Sequence, residues 1–394
     1  MLGHGSQLPP GKQTNQNESV YLRFCYRTQK VTDIYVCLLV SLSASSASLF
    51  SLLTLTRFLP QVVVLSPSCC SSPPKQFDFT LIKMVCCVTG AGVIALLFIA
   101  YKFFNILLRI LGPYVFCKPI DLKKQAGANW AVVTGATDGI GKSYCFELAK
   151  RGFNIYLVSR TQSKLEQTKK EILQKHSNIE VKIAVFDFKN PSPADYQKLL
   201  AKLNEVEVGI LINNVGMFFE YPDIIHKIAG GIDSLADVTT VNTLPPTLLS
   251  AGIVPQMVSR HAGIVVNISS GAGSIPMPQM SVYSAAKKYI TWLTAILRKE
   301  YDHQGIIFQT IAPHKVSTNM SGNPDTSFFC PDSDSFAKSA LNTIGNSSET
   351  TGYITHQLEL ELMTLLPEFL LNDFISKTGD SIRKTVLARK EKSQ

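Results

Sequence analysis

A chain of 394 residues, 45% hydrophobic and 17% charged, with a slightly positive mean hydropathy of +0.13, can bury at least one large core. Its net charge of +9 is compatible with anionic lipid or an acidic ligand. No zinc-ligand spacing, basic run with interleaved aromatics or RNA-binding signature occurs, which argues against a metal centre and against nucleic acid. Seven of the nine cysteines precede the region that reads as folded and only Cys145 and Cys330 lie inside it, which favours a reducing compartment over a disulfide framework.

In chain order, residues 1–33 are polar and irregular, 34–56 form an uncharged but serine-diluted apolar run, and 66–75 read as a Ser/Pro/Cys-rich linker. A stronger apolar run covers 85–101, is interrupted by Lys102 and resumes over 103–116 around Arg109. We read 84–116 as a membrane anchor. Lys102, Arg109, Lys118, Lys123 and Lys124 place the following domain on the cytosolic side. Met84 stands at the start of that anchor, so residues 1–83 read as a leader dispensable to the functional protein.

From Asn129 onward, short β-branched runs alternate with helical patterns. Strands are expected at 131–134, 155–159, 182–187, 209–213, 263–269 and 306–311. Helices are expected at 142–151, 162–175, 194–206, 238–260 and 282–301. Such alternation with apolar strands predicts an α/β fold, a doubly wound parallel sheet covered by helices on both faces. Ligands of such sheets bind beyond the carboxyl ends of the strands.

The chemistry-bearing residues fall at those ends. Gly135, Thr137, Asp138, Gly139, Ile140 and Gly141 make a glycine-rich turn after the first strand and lead into a helix, a place where a pyrophosphate can approach the backbone. Arg160 ends the second strand where an NAD site usually has an acid, and it suits the 2′-phosphate of NADP(H). Asp187, after the third strand, either reaches the adenine or caps the turn that follows. Asn214, Val215 and Gly216 follow the fourth strand. Asn242 lies in an apolar helical segment, where a buried amide needs partners. Ser270 ends the fifth strand. Tyr283 and Lys287 are four apart and share one helix face. A phenol with a reference pKa near ~10 needs a nearby cation to act at neutral pH, and Lys287 supplies one.

In this order and spacing the motifs resemble the short-chain dehydrogenase/reductase family over about residues 129–320, which implies a Rossmann-like fold. The resemblance implies that Tyr283 is the general acid and that Ser270, rather than Ser269, orients the substrate carbonyl. Lys287 would lower the phenol pKa and hold the ribose, and Asn242 would anchor a water leading to solvent. Val316 and Thr318 would contact the nicotinamide carboxamide, and His314 stands where the family has glycine, leaving the geometry of that loop open. The anchor, the Asn-Asn-Val-Gly variant and Ser-Ser-Gly resemble the branch of very-long-chain 3-oxoacyl-CoA reductases and type 12 17β-hydroxysteroid dehydrogenases. That branch implies NADPH-dependent reduction of a 3-oxoacyl-CoA in fatty-acid elongation, with 17-ketosteroids as the alternative, at the endoplasmic-reticulum membrane, with elongation partners or self-association. A non-catalytic NADP-sensing protein is a remote alternative.

Beyond the catalytic domain (117–320), residues 321–376 read as a flexible substrate lid with an interfacial or pocket-lining helix, and 377–394 as a basic tail. Lys390 and Lys392 resemble a dilysine retrieval signal. The Asn267-Ile268-Ser269 glycosylation triplet is expected to be occluded.

Overall fold

The computed structural model describes residues 79–322 and 325–393. The weak apolar run at 34–56 and the linker at 66–75 lie outside the described residues. The chain divides into two compact units at Asn105.

The first unit contains most of α1 (Phe79–Leu111), an uninterrupted helix of 33 residues. Lys102 does not break it; its ammonium lies 5.4 Å from the Phe98 ring centroid. Val93, Ile94, Leu96, Leu97, Phe98 and Ile99 are all exposed, so this stretch of the helix is apolar all round, and among the described residues none covers those side chains. The stretch Val88–Phe116 is long and apolar enough to cross a bilayer. A π turn at Gly112–Phe116 with Pro113 near its start ends the helical run.

The second unit is a seven-stranded parallel sheet in the order β3-β2-β1-β4-β5-β6-β7. After a short helix, α2 (Leu122–Ala126), the elements are β1 (Trp130–Thr134), α3 (Gly139–Lys150), β2 (Asn154–Ser159), α4 (Gln162–Lys175), β3 (Val181–Val185), α5 (Pro193–Leu203), β4 (Val208–Asn213), α6 (Gly231–Ser259), β5 (Gly263–Ile268), α7 (Ser281–Glu300), β6 (Ile306–Ile311), α8 (Ser333–Asn342), β7 (Glu349–Thr350), α9 (Ile354–Leu365) and α10 (Glu368–Ser393). β4 and β5 are buried along their whole length, as central strands covered on both faces must be. Alternate residues feed two cores. Val133, Leu157 and Ile212 pack under α3, α4 and α8, while Val132, Tyr156 and Leu211 pack under α5 and α6.

Two expectations beyond the sixth strand are corrected. The segment read as a lid over 321–376 contains α8, whose Phe336, Ala337, Ala340 and Leu341 are buried in the first core. The Asp332 side chain caps α8 by accepting from Ser335 N at 2.8 Å, and Ser143 Oγ donates to Asp334 Oδ1 at 2.6 Å, fixing α8 to α3. The same segment contributes the seventh strand. The basic tail at 377–394 is not a separate element either, because α10 runs helical to Ser393. Arg383 pairs with Asp223 and Lys390 with Glu220, both at 2.7 Å, so two of its cations bind the segment after β4.

Candidate active site

The end of β1 is joined to the end of β4 by one hydroxyl. Thr134 Oγ1 accepts from Asn214 N and Val215 N, each at 3.0 Å, and Asn214 Nδ2 donates to Thr134 O at 2.9 Å. Gly135 turns the chain away with φ of +65°, a left-handed conformation that suits glycine. Gly141 lies against the Gly135 carbonyl and the Asn214 amide so closely that no Cβ fits between them. The turn therefore brings the start of α3 to the carboxyl edge of the sheet. Asp138 caps α3 by accepting from Gly139 N at 2.8 Å. Ile140 and Gly141 fall in the first turn, where no earlier carbonyl of the helix faces their N–H groups. That surface suits a pyrophosphate. Asn319 donates to both Asp138 carboxylate oxygens at 3.1 and 3.0 Å, which sets Thr318 beside Gly139. Thr137 Oγ1 meets Ser159 Oγ at 3.0 Å, and Arg160 follows, exposed.

Asp187 lies two residues beyond the end of β3, which is shorter than expected. Its exposed carboxylate accepts from Lys189 N at 3.1 Å, so the turn-cap reading fits its geometry. Val316 is buried in the first core, which leaves its backbone rather than its side chain to meet a cofactor.

Tyr283 stands in the first turn of α7 and Lys287 one turn later, with the ammonium 5.6 Å from the phenol ring centroid. The two serines before α7 have separate tasks. Ser269 is buried, donates to Lys287 O at 2.7 Å and accepts from Thr291 Oγ1 at 3.1 Å, so its hydroxyl is committed to holding α7. Ser270 is half-buried and is the hydroxyl that interacts with the Tyr283 phenol. Burial pushes that phenol above its ordinary value and the Ser270 contact acts against the rise. The Lys287 Nζ also donates to Ile268 O at 3.2 Å, which fixes the ammonium at the end of β5. Burial brings the Lys287 ammonium itself down to about 8.

Asn242 is fully buried on α6, and its amide donates to Met217 O and Val238 O at 2.7 Å each. A Cβ placed on Gly216 would lie 3.0 Å from Asn242 Oδ1 and 3.2 Å from Lys287 Nζ, so this glycine allows the two side chains to face one another across the backbone. Sequence reasoning overlooked Pro245 and Pro246 inside α6. Lacking N–H groups, they leave the carbonyls of Val241 and Asn242 without the donor four residues on. The adjacent prolines four residues after Val241 and Asn242 were the available signal.

His314 does not distort its loop, since φ there is negative and no glycine is required. Its imidazole is buried to 9% side-chain exposure, with Nδ1 2.9 Å from the Glu359 carboxylate, and it packs on Gly271. His314 N donates to His356 Nδ1 at 3.4 Å, and burial lowers His356 to about 4, which keeps it a neutral acceptor at neutral pH. Asn267 is fully buried between Asn213 and Thr294, as expected of an occluded glycosylation triplet.

Residues 129–327 match the family described as short chain dehydrogenase. The chain is 67% identical to "Putative steroid dehydrogenase 1" of Caenorhabditis elegans, over 77% of this chain and 97% of that one. It is 63% identical to the very-long-chain 3-oxoacyl-CoA reductase let-767 of the same nematode, over 78% and 97% respectively. A solved 7β-hydroxysteroid dehydrogenase shares 19% identity and a TM-score of 0.58 over 65% of this chain and 100% of its own, a likeness of fold. A serine, tyrosine and lysine gathered at the carboxyl edge of this sheet, over a glycine turn at a helix start, agree with those matches, and the chain belongs to the short-chain dehydrogenase family.

Proposed function

We propose that this protein is an NADP(H)-dependent ketoreductase of lipid metabolism that reduces 3-oxoacyl-CoA to 3-hydroxyacyl-CoA in fatty-acid elongation. The observation that carries the reading is the meeting of Ser270, Tyr283, Lys287 and Asn242 around Gly216 and the end of β5. The likeness to very-long-chain 3-oxoacyl-CoA reductases supports the choice of substrate.

The glycine turn and the α3 N-terminus would hold the cofactor pyrophosphate, and exposed Arg160 its 2′-phosphate. The cofactor, when bound, supplies the hydride. Ser270 orients the ketone oxygen and Tyr283 donates its proton to that oxygen, a transfer worth about 10²–10⁴ in rate. At neutral pH Lys287 carries its proton and favours the phenolate that Tyr283 becomes. The Asn242 carbonyl, freed by Pro246, offers a water a place on the route by which the proton is replaced.

The apolar helix and the basic residues after it support an anchor in the endoplasmic-reticulum membrane with the catalytic domain facing the cytosol. Self-association and contact with other elongation enzymes belong to the same reading. Reduction of a steroid 17-ketone is the second reading, favoured by the name of the relative with 67% identity. Purified protein assayed with NADPH on both substrate classes tests the proposal. Tyr283→Phe is expected to abolish turnover and to leave cofactor binding intact, whereas retained turnover refutes the assigned acid.

A further inference from the structure

α9 and α10 meet at a corner whose outer surface is apolar. Leu366 is extended and Pro367 follows it, so the helix cannot continue through. Around the corner stand Leu362, Leu365, Leu366, Phe369, Leu370 and Phe374, from 46% to 72% exposed. Single exposed leucines are ordinary on protein surfaces, but six large apolar side chains within thirteen residues form a patch. These residues are not needed to seat the helix. α10 already has an inner face, with Leu371 and Ile375 buried and Gly379 against Gln279 and Pro222.

We propose that this corner rests in the headgroup–acyl boundary of the bilayer that holds the anchor, and the proposal rests on the reading of α1 as that anchor. Glu361, immediately before the patch, is buried and accepts from Arg109 at 2.8 Å. Arg109 belongs to the last turn of α1, inside the apolar stretch Val88–Phe116, and to the same compact unit as α9. An arginine near the end of a membrane helix carries its charge toward the interface. The pair with Glu361 therefore holds the end of α9 at the level where the anchor leaves lipid. The patch is densest at that level: after Phe374 the exposed side chains of α10 are mostly polar, with only Ile382 and Leu387 as exposed large apolar residues, and the Asp373–Lys377 pair at 2.7 Å flanks the change. An apolar corner followed by a charged helix is the pattern of an element lying about 5–10 Å into the boundary.

This seating would bring lipid next to the reaction site. α10 borders the segments flanking Tyr283, with Gln279 donating to Asp380 at 3.0 Å and Arg383 paired with Asp223. A long acyl chain dissolved in the membrane then reaches the site without crossing water.

The test uses the full chain in phosphatidylcholine vesicles containing brominated phosphatidylcholine, with Trp130 and Trp292 replaced by Phe. One tryptophan is then introduced as Phe369→Trp or, at an exposed position on the charged last turns of α10, as Ala388→Trp. Seating in lipid predicts blue-shifted emission for Phe369→Trp that is lost to brominated lipid, with Ala388→Trp unaffected. Unquenched emission from protein that stays in the vesicles through a carbonate wash overturns the seating and leaves the anchor standing. Emission that turns blue only at high protein-to-lipid ratio, without quenching, assigns the patch to a second copy and also overturns it. Release by carbonate removes the anchor and the seating together.

Discussion

The contact between Gly271 and His314 makes a prediction with a definite sign. Gly271 has no positive φ, so its backbone would accept alanine. On that ground alone Gly271→Ala should stabilise the protein by about 0.4–1 kcal/mol, because it restricts the unfolded chain. A Cβ there, however, would stand 2.5 Å from His314 Nε2. The imidazole has little room to swing aside, since it is buried with Nδ1 only 2.9 Å from the Glu359 carboxylate. Overpacking of this kind costs about 1–3 kcal/mol and should reverse the sign. Taking about 2 kcal/mol, the melting temperature falls by about 4–8 °C, on a scale of about 2–4 °C per kcal/mol for domains of this order. The strain acts next to Ser270, because Gly271 N donates to Pro313 O at 2.8 Å and Ala272 N to Ser270 Oγ at 3.2 Å. Turnover should therefore fall with stability. Thermal unfolding and kcat of Gly271→Ala, His314→Gly and the double variant close a cycle in which the double variant is better than the sum of the singles. A Gly271→Ala protein that melts at or above the parent temperature, or a cycle with no coupling, refutes the steric account.

Two further outcomes follow from buried and exposed cations. Lys287→Met is expected to remove turnover and yet raise the melting temperature at pH 7, because burial of the ammonium, whose pKa falls from 10.5 to about 8, costs about 3 kcal/mol. Between about pH 8 and 10.5 the unfolded parent binds more protons than the folded one, so parent stability climbs with pH. The advantage of the variant should vanish by the top of that window in melting curves taken across pH. Arg160→Glu should exchange cofactor preference, raising KM for NADPH far more than for NADH; an unchanged ratio removes Arg160 from the phosphate site.

The six long strands were legible because apolar β-branched runs alternate with helical periods, and each is present within one or two residues of its expected ends. β7 was not legible, since two residues carry no period. α8 was missed because six of its ten residues are polar, three of them serines, although Phe336, Ala337, Ala340 and Leu341 keep the spacing of one helix face. At the site, Tyr283 and Lys287 were readable as local neighbours on one turn. The tasks of Glu359 and Glu361 were not. Both looked like interruptions in an apolar helix, and their partners, His314 and Arg109, are distant in sequence. A carboxylate whose partner is remote in sequence leaves no local pattern, and the same holds for Gly271, whose need for a missing side chain is set by a loop on the next strand.

The ion pairs of α10 with Asp223 and Glu220 have a practical consequence for anyone altering the two termini. A fluorescent protein or affinity tag appended after Gln394 would pull on the helix that borders the segments around Tyr283. Such a fusion can change catalysis while the fold remains intact. Additions before Met84 enter a part of the chain that the catalytic unit does not include. Rates compared between differently tagged preparations would then report the handle as well as the enzyme.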